Sequence, residues 1–214
     1  MVLFWILWVL AWLPLTLLFP TRVVGRKNFV KGGAVFVCNH FSNLDAPLLD
    51  IKLHRRLIFL AKAELFKTKV RAWFFGHVLG AISVDRSRAD VRAIKAGLNV
   101  CKQGKKLGVF PEGTRNKKAD RAEIGEIHDG AIMFASRAGV PIIPMVLLKR
   151  PKLFRFNKLV IGSPFMVSGE NPNRLTQEET EAAKQQLREI LEGLIAANTK
   201  KKKIDDSIKN NNLG

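Results

Sequence analysis

The chain has 214 residues, 47% hydrophobic and 25% charged. This is a globular composition that excludes a disordered, collagen-like or low-complexity polypeptide and fits one domain with short extensions. Thirty-six Lys and Arg against eighteen Asp and Glu leave a net charge of +18, a field that attracts nucleic acid, anionic lipid headgroups or acidic carrier proteins.

Residues 1 to 19, MVLFWILWVLAWLPLTLLF, carry no charge. As a helix they measure roughly 28 Å, close to the hydrocarbon thickness of a bilayer. Trp5, Trp8 and Trp12 suit an interface as well as a core. No basic stretch precedes the run and no small-x-small site follows it, which argues against a cleaved signal peptide. Two seatings remain open. A single span would be held with the rest of the chain on the cytoplasmic side by Arg22, Arg26, Lys27 and Lys31. A monotopic helix in one leaflet would be kinked by Pro14. Either places the globular part at the cytoplasmic face of the cell membrane, against the phospholipid surface. The expected division is a membrane-anchoring segment at 1–20, a domain at 21–198 and a basic, disordered tail at 199–214.

Beyond the anchor, short apolar runs alternate with helical patterns. The spacing predicts strands over 34–38, 57–61, 81–84, 107–110, 140–148 and 158–161, most of them opened by glycine turns. Between them, Ser87 with Asp90 reads as a capping box for a helix carrying Val91, Ile94, Leu98 and Cys101 on one stripe. Residues 130–138 read as a short helix closed by Gly139, and Thr176 with Glu179 opens a last helix. Strands separated by helices predict a single α/β domain with a mixed, largely parallel central sheet flanked by helices, preceded by the N-terminal hydrophobic membrane helix. From 52 to 77, seven Lys and Arg and one acid interleave with aromatic and aliphatic residues. That is the pattern of a membrane-surface helix, or of an ordinary helix with a solvated basic face. Cys38 and Cys101 exclude a disulfide scaffold or a four-ligand structural zinc site and read as buried thiols.

Four clusters can carry chemistry. Asn39-His40-Phe41-Ser42-Asn43-Leu44-Asp45 follows the first predicted strand, where ligands bind in α/β sheets. Five helical steps turn about 500°, so His40 and Asp45 cannot share a helix face; in a loop they can meet, the carboxylate fixing the tautomer and leaving a basic nitrogen free. Equally, Asp45 can be the N-cap of a helix with Pro47 in its first turn and His40 an incidental loop residue. Phe110-Pro111-Glu112-Gly113-Thr114-Arg115 follows another strand and reads either as a plain turn or as an anion site. Gly80 to Arg86 ends a third strand in Asp85-Arg86, an ion pair or an anion contact. Val140-Pro141-Ile142-Ile143-Pro144 enters a strand and reads as architecture. No His has a partner at metal-ligand spacing.

Taken in order, the blocks NHFSNLD (39–45), GAISVDR (80–86), FPEGTR (110–115) and VPIIP (140–144) resemble those of the glycerolipid acyltransferase family, which contains the 1-acylglycerol-3-phosphate (lysophosphatidic acid) acyltransferases. The resemblance covers roughly residues 22 to 165 and makes 21–198 the acyltransferase domain. It implies that His40 is the general base and Asp45 its orienting partner. It also implies that Arg86, Glu112, Gly113, Thr114 and Arg115 bind the acceptor's phosphate, that Lys62 adds a contact, and that the fourth block lines the acyl side. Glu112 cannot itself favour a phosphate and is expected to orient an Arg or the loop. The reaction implied is acyl transfer from acyl-carrier protein or acyl-coenzyme A to the sn-2 hydroxyl of lysophosphatidic acid. It gives phosphatidic acid with no cofactor, no metal and no acyl-enzyme. One departure is Ile127-His128-Asp129, where many relatives carry an aromatic-basic pair. The rivals are the same chemistry on glycerol 3-phosphate or another lysolipid, a thioesterase or hydrolase, and a non-catalytic module binding anionic lipid or nucleic acid. The absence of any nucleic-acid motif argues against the last of these.

Overall fold

The computed structural model describes residues 2–85, 90–171 and 174–211. Its strands are β1 (Thr21–Val24), β2 (Ala34–Cys38), β3 (Leu57–Lys62), β4 (Ile82–Val84), β5 (Lys106–Val109), β6 (Ile142–Leu147) and β7 (Asn157–Ile161). They form one sheet in the order β1-β7-β6-β2-β5-β3-β4. From β6 to β4 every neighbouring pair is parallel. β7 runs antiparallel to β6, and β1 is parallel to β7. The expected α/β domain with a mixed, largely parallel sheet is what forms. β2 lies at the centre with all five residues buried, which explains why it reads as a continuous apolar run rather than an alternating one.

Helices α1 (Val2–Leu18), α2 (Asp45–Leu53), α3 (Lys69–Trp73), α4 (Val91–Lys102), α5 (Gly130–Ala138) and α6 (Gln177–Asn211) flank the sheet. α4, α5 and α6 pack in sequence on one another, and α1 packs on α2. A Cβ at Gly97 would lie 2.5 Å from the Phe134 ring, so the small residue on α4 sets the α4–α5 approach. Asp90 caps α4 through bonds from the Arg92 and Ala93 amides; its expected partner Ser87 lies outside the described residues. The Thr176–Glu179 capping box forms in both directions, Glu179 N to Thr176 Oγ1 at 3.1 Å and Thr176 N to Glu179 Oε2 at 2.7 Å.

Several expectations are corrected. The N-terminal run is helical for only 17 residues, and among the described residues no helix is long and apolar enough to cross a membrane. α1 instead lies along the domain, held at both ends. Near its start Phe4 is buried beneath the Arg56 guanidinium at 4.5 Å. At its end the Leu18 carbonyl accepts the Phe154 amide at 2.7 Å. Between them Trp8 Nε1 reaches the Asp50 carbonyl at 3.4 Å. α6 itself runs from Gln177 to Asn211. The basic-aromatic stretch is not one helix: after β3 it breaks into a 3-10 turn at Ala63–Phe66, α3, and a π-helical turn at Phe74–Val78.

Candidate active site

The parallel register of β2 with β5 (Val37 opposite Val109) and of β2 with β6 (Cys38 opposite Met145) brings three strand ends level. The first and third sequence blocks leave from two of these ends, side by side. Asn39 continues β2 with its side chain. Its Oδ1 accepts the Leu147 amide at 2.9 Å and its Nδ2 donates to the Leu147 carbonyl at 3.1 Å, a side-chain extension of the ladder that fixes where the chain turns away.

His40 follows. Its Nδ1 lies 2.8 Å from Asp45 Oδ2, with the carboxylate fully buried and the imidazole 16% exposed. Asp45 is the first residue of α2, but its carboxylate points back into the loop rather than capping the helix, whose N-cap is Leu44 without a side-chain bond. Oδ2 also accepts the amides of Phe41 at 2.6 Å and Ser42 at 2.8 Å, and Oδ1 accepts the Ser42 hydroxyl at 3.1 Å. An oxygen already facing two N–H groups is an acceptor, so the imidazole donates from Nδ1. In a neutral imidazole held this way, Nε2 is the nitrogen that carries the lone pair.

An aromatic column holds the other side of the imidazole. The Phe110 ring stacks on His40 at 3.8 Å and 13°, and Phe59 from β3 stacks on Phe110 at 5.3 Å and 12°. Gly108 makes this possible: a Cβ there would sit 2.4 Å from the Phe59 ring.

After Phe110 the chain turns sharply, Gly113 N bonding to the Phe110 carbonyl at 3.1 Å. Gly113 has φ of +64°, and a Cβ would come 2.9 Å from the His128 ring, so both backbone and space call for glycine. Thr114 and Arg115 are exposed beyond the turn, and Arg115 Nη1 donates to Asn43 Oδ1 at 3.0 Å. The expected anion loop thus leans on the loop that carries His40. Glu112 lies beneath it, buried. Its carboxyl is pushed up to about 7, chiefly by burial; the Gly125 amide and the Arg188 guanidinium oppose that shift, and the Asp45 charge adds to it. The cation facing Glu112 is therefore Arg188 of α6, which donates to the Ile124 and Gly125 carbonyls at 3.2 and 2.8 Å. Lys62 ends β3 at the same edge of the sheet, exposed. Arg86 lies outside the described residues.

Arg150, in the β6–β7 connection, escapes sequence reasoning altogether. It donates to the carbonyls of Phe41 (3.1 Å), Asn116 (2.6 Å) and Ala119 (2.8 Å), while the Asn116 amide bonds to the His40 carbonyl at 2.8 Å. The fourth block is placed away from all this. Ile142 and Ile143 begin β6 at the opposite edge, buried in the core, away from His40 and the glycine turn.

A family model described as Acyltransferase matches residues 20–148. The chain belongs to the Acyltransferase family. Among curated relatives, the probable 1-acyl-sn-glycerol-3-phosphate acyltransferase of Mycoplasma pneumoniae is 36% identical over 138 residues, 59% of this chain and 48% of that protein. The 1-acyl-sn-glycerol-3-phosphate acyltransferase of Bacillus subtilis is 29% identical over 154 residues, 67% of this chain and 72% of that one. This acyltransferase-family chain spans about half the length of the Mycoplasma protein. Among solved structures, the 1-acyl-sn-glycerophosphate (LPA) acyltransferase of Thermotoga maritima superposes with a TM-score of 0.61 at 25% identity, covering 83% of this chain and 72% of that one.

Proposed function

We propose that this chain transfers an acyl group from a thioester, carried by acyl-carrier protein or coenzyme A, to the sn-2 hydroxyl of a 1-acylglycerol 3-phosphate, forming phosphatidic acid. The observation that carries the reading is the His40–Asp45 pair at 2.8 Å beside a glycine turn ending in Arg115. The activity named for the relatives supports it. His40 Nε2 takes the proton of the acceptor hydroxyl as the oxygen attacks the thioester carbonyl, and Asp45 stabilises the imidazolium through Nδ1–H. Collapse of the tetrahedral adduct breaks the C–S bond, and the thiolate leaves with the proton held on His40. Transfer is direct. Burial pushes the Cys38 thiol well above the usual thiol range and Cys101 up to about 11, and the Ser42 hydroxyl is committed to Asp45. The acceptor phosphate is read by Arg115, Thr114, the Gly113 turn, Arg86 and Lys62, with Glu112 shaping the loop from below.

In this reading residues 21–198 form the catalytic unit. The segment 1–20 seats it monotopically on the cytoplasmic face of the membrane, since α1 touches the domain at both ends. Exposed Val70, Trp73 and Phe74, with Lys67, Lys69 and Arg71 beside them, add a second contact.

The test is an acceptor panel with purified protein and labelled acyl thioesters: lysophosphatidic acid, glycerol 3-phosphate, lysolipids without a terminal phosphate, and water. Product from lysophosphatidic acid alone is expected. Transfer confined to another acceptor would keep the chemistry and overturn the substrate, and release of free acid to water would overturn both.

A further inference from the structure

The connection from β6 to β7 presents three large apolar side chains to solvent. Leu153 is 60% exposed, Phe154 74% and Phe156 62%. Isolated exposed residues need no explanation, but this loop is built to hold them out. Phe154 has φ of +56°, a left-handed conformation that a bulky residue adopts only under constraint. The constraint is visible. The Phe154 amide bonds to the Leu18 carbonyl at 2.7 Å and the Asn157 amide to the Pro20 carbonyl at 2.8 Å. Asp120 clamps Lys152 at 2.9 Å and Arg155 at 2.6 Å, and Arg155 also donates to the Arg150 carbonyl.

Those two backbone bonds place the tip at the C-terminal end of α1. Along α1, Ile6, Val9, Leu10, Leu13 and Leu17 are exposed at helical spacing, forming one open apolar stripe. At the far end of the helix Arg56 joins Phe4 to the Val78 carbonyl at 3.1 Å, and so to the segment bearing exposed Val70 and Trp73. Exposed apolar side chains therefore run from the loop tip along α1, and Arg56 ties the far end of that helix to the segment that carries α3. The tip also sits at the sheet edge from which His40 projects, because β6 ends there. Two cations on one acid leave the loop net positive, and the whole chain carries +18.

We propose that residues 151–156 are a third membrane-inserting element, which sinks Leu153, Phe154 and Phe156 into a bilayer with anionic headgroups. The inference rests on the membrane seating of α1 given above and adds to it. With α1 and α3 alone the domain could pivot; a third point at the active-site end fixes the His40 edge against the lipid surface, where a lysolipid acceptor lies.

The test labels full-length protein with an environment-sensitive fluorophore at Phe154→Cys and Phe156→Cys, and separately at Leu13→Cys on α1; the buried native thiols do not compete. Vesicles of phosphatidylglycerol and phosphatidylethanolamine are added. Increased, blue-shifted emission at both loop positions and at Leu13→Cys is expected, with quenching by bilayer-embedded nitroxides. Unlabelled protein carrying Leu153→Glu and Phe156→Glu, with its circular dichroism unchanged, should float with such vesicles about tenfold less well. A response at Leu13→Cys with none at either loop position overturns the third element and leaves the seating intact. No response anywhere overturns the seating as well. A loop response to acyl-carrier protein, and none to vesicles, would make the loop a protein-docking site and overturn the proposal.

Discussion

The Arg150 guanidinium donates to the Phe41 carbonyl at 3.1 Å across 109 residues of sequence, and through its other amino group to Asn116 at 2.6 Å. One side chain thus ties the loop after β2 to the loop after β5, and His40 and Arg115 sit on the loops it joins. Arg150→Lys keeps the charge but cannot reach three carbonyls at once. Steady-state kinetics should show kcat lower by about 100-fold, because small misplacements cost that much. Thermal unfolding should lose about 2 kcal/mol from carbonyls left unpaired. Unchanged kcat would mean that the loops hold themselves.

Gly108 supports His40 from two rings away. Gly108→Ala would push Phe59 and, through it, Phe110 against the imidazole, since the added carbon would lie 2.4 Å from the Phe59 ring. The expected outcome is a loss in kcat of about tenfold or more with acceptor KM little changed, because the phosphate loop is not displaced.

Arg115 is exposed and donates from Nη1 to Asn43 Oδ1, and a guanidinium with five donors has others to offer an anion. Arg115→Ala should raise acceptor KM by about tenfold or more and leave thioester KM unaltered, as loss of one charge-assisted bond predicts. Equal KM values for acceptor would remove Arg115 from the phosphate site.

Asp50 makes stability depend on pH. Burial pushes its carboxyl up from an ordinary 3.8 to about 7, against the Leu57 amide and the Arg56 charge. The folded state therefore keeps a proton that the unfolded chain has released, so this group's stabilising contribution is full below about pH 4 and is lost as pH rises toward 7. Asp50→Asn imitates the protonated form. Chemical denaturation from pH 4 to 8 should show wild type losing stability relative to the variant across that window; parallel curves would contradict the assignment.

Local signals were the legible ones. The five apolar residues of β2, the span of α5 closed by Gly139, and the Thr176–Glu179 box all depend on neighbours a few residues away. The meeting of His40 with Asp45 was legible for the same reason, although a helix cap competed with it until the carboxylate was seen to face backward. β1 was not foreseen: four residues with Arg22 among them carry no strong strand pattern, and only pairing with β7 makes them a strand. Asn39 to Leu147, Arg150 to Phe41 and Arg188 to Gly125 span 108, 109 and 63 residues; such bonds leave no periodicity to read. The basic-aromatic stretch misled because composition gives charge and apolarity without saying where the backbone breaks.

The central claim is that His40, oriented by Asp45, takes the acceptor's proton. The most direct measurement is the rate of phosphatidic acid formation from lysophosphatidic acid and acyl thioester by wild type and by His40→Ala, on protein with matching circular dichroism and vesicle binding. A loss of about a thousandfold or more, with acceptor binding retained, is the predicted result. Undiminished turnover by folded His40→Ala would contradict the account.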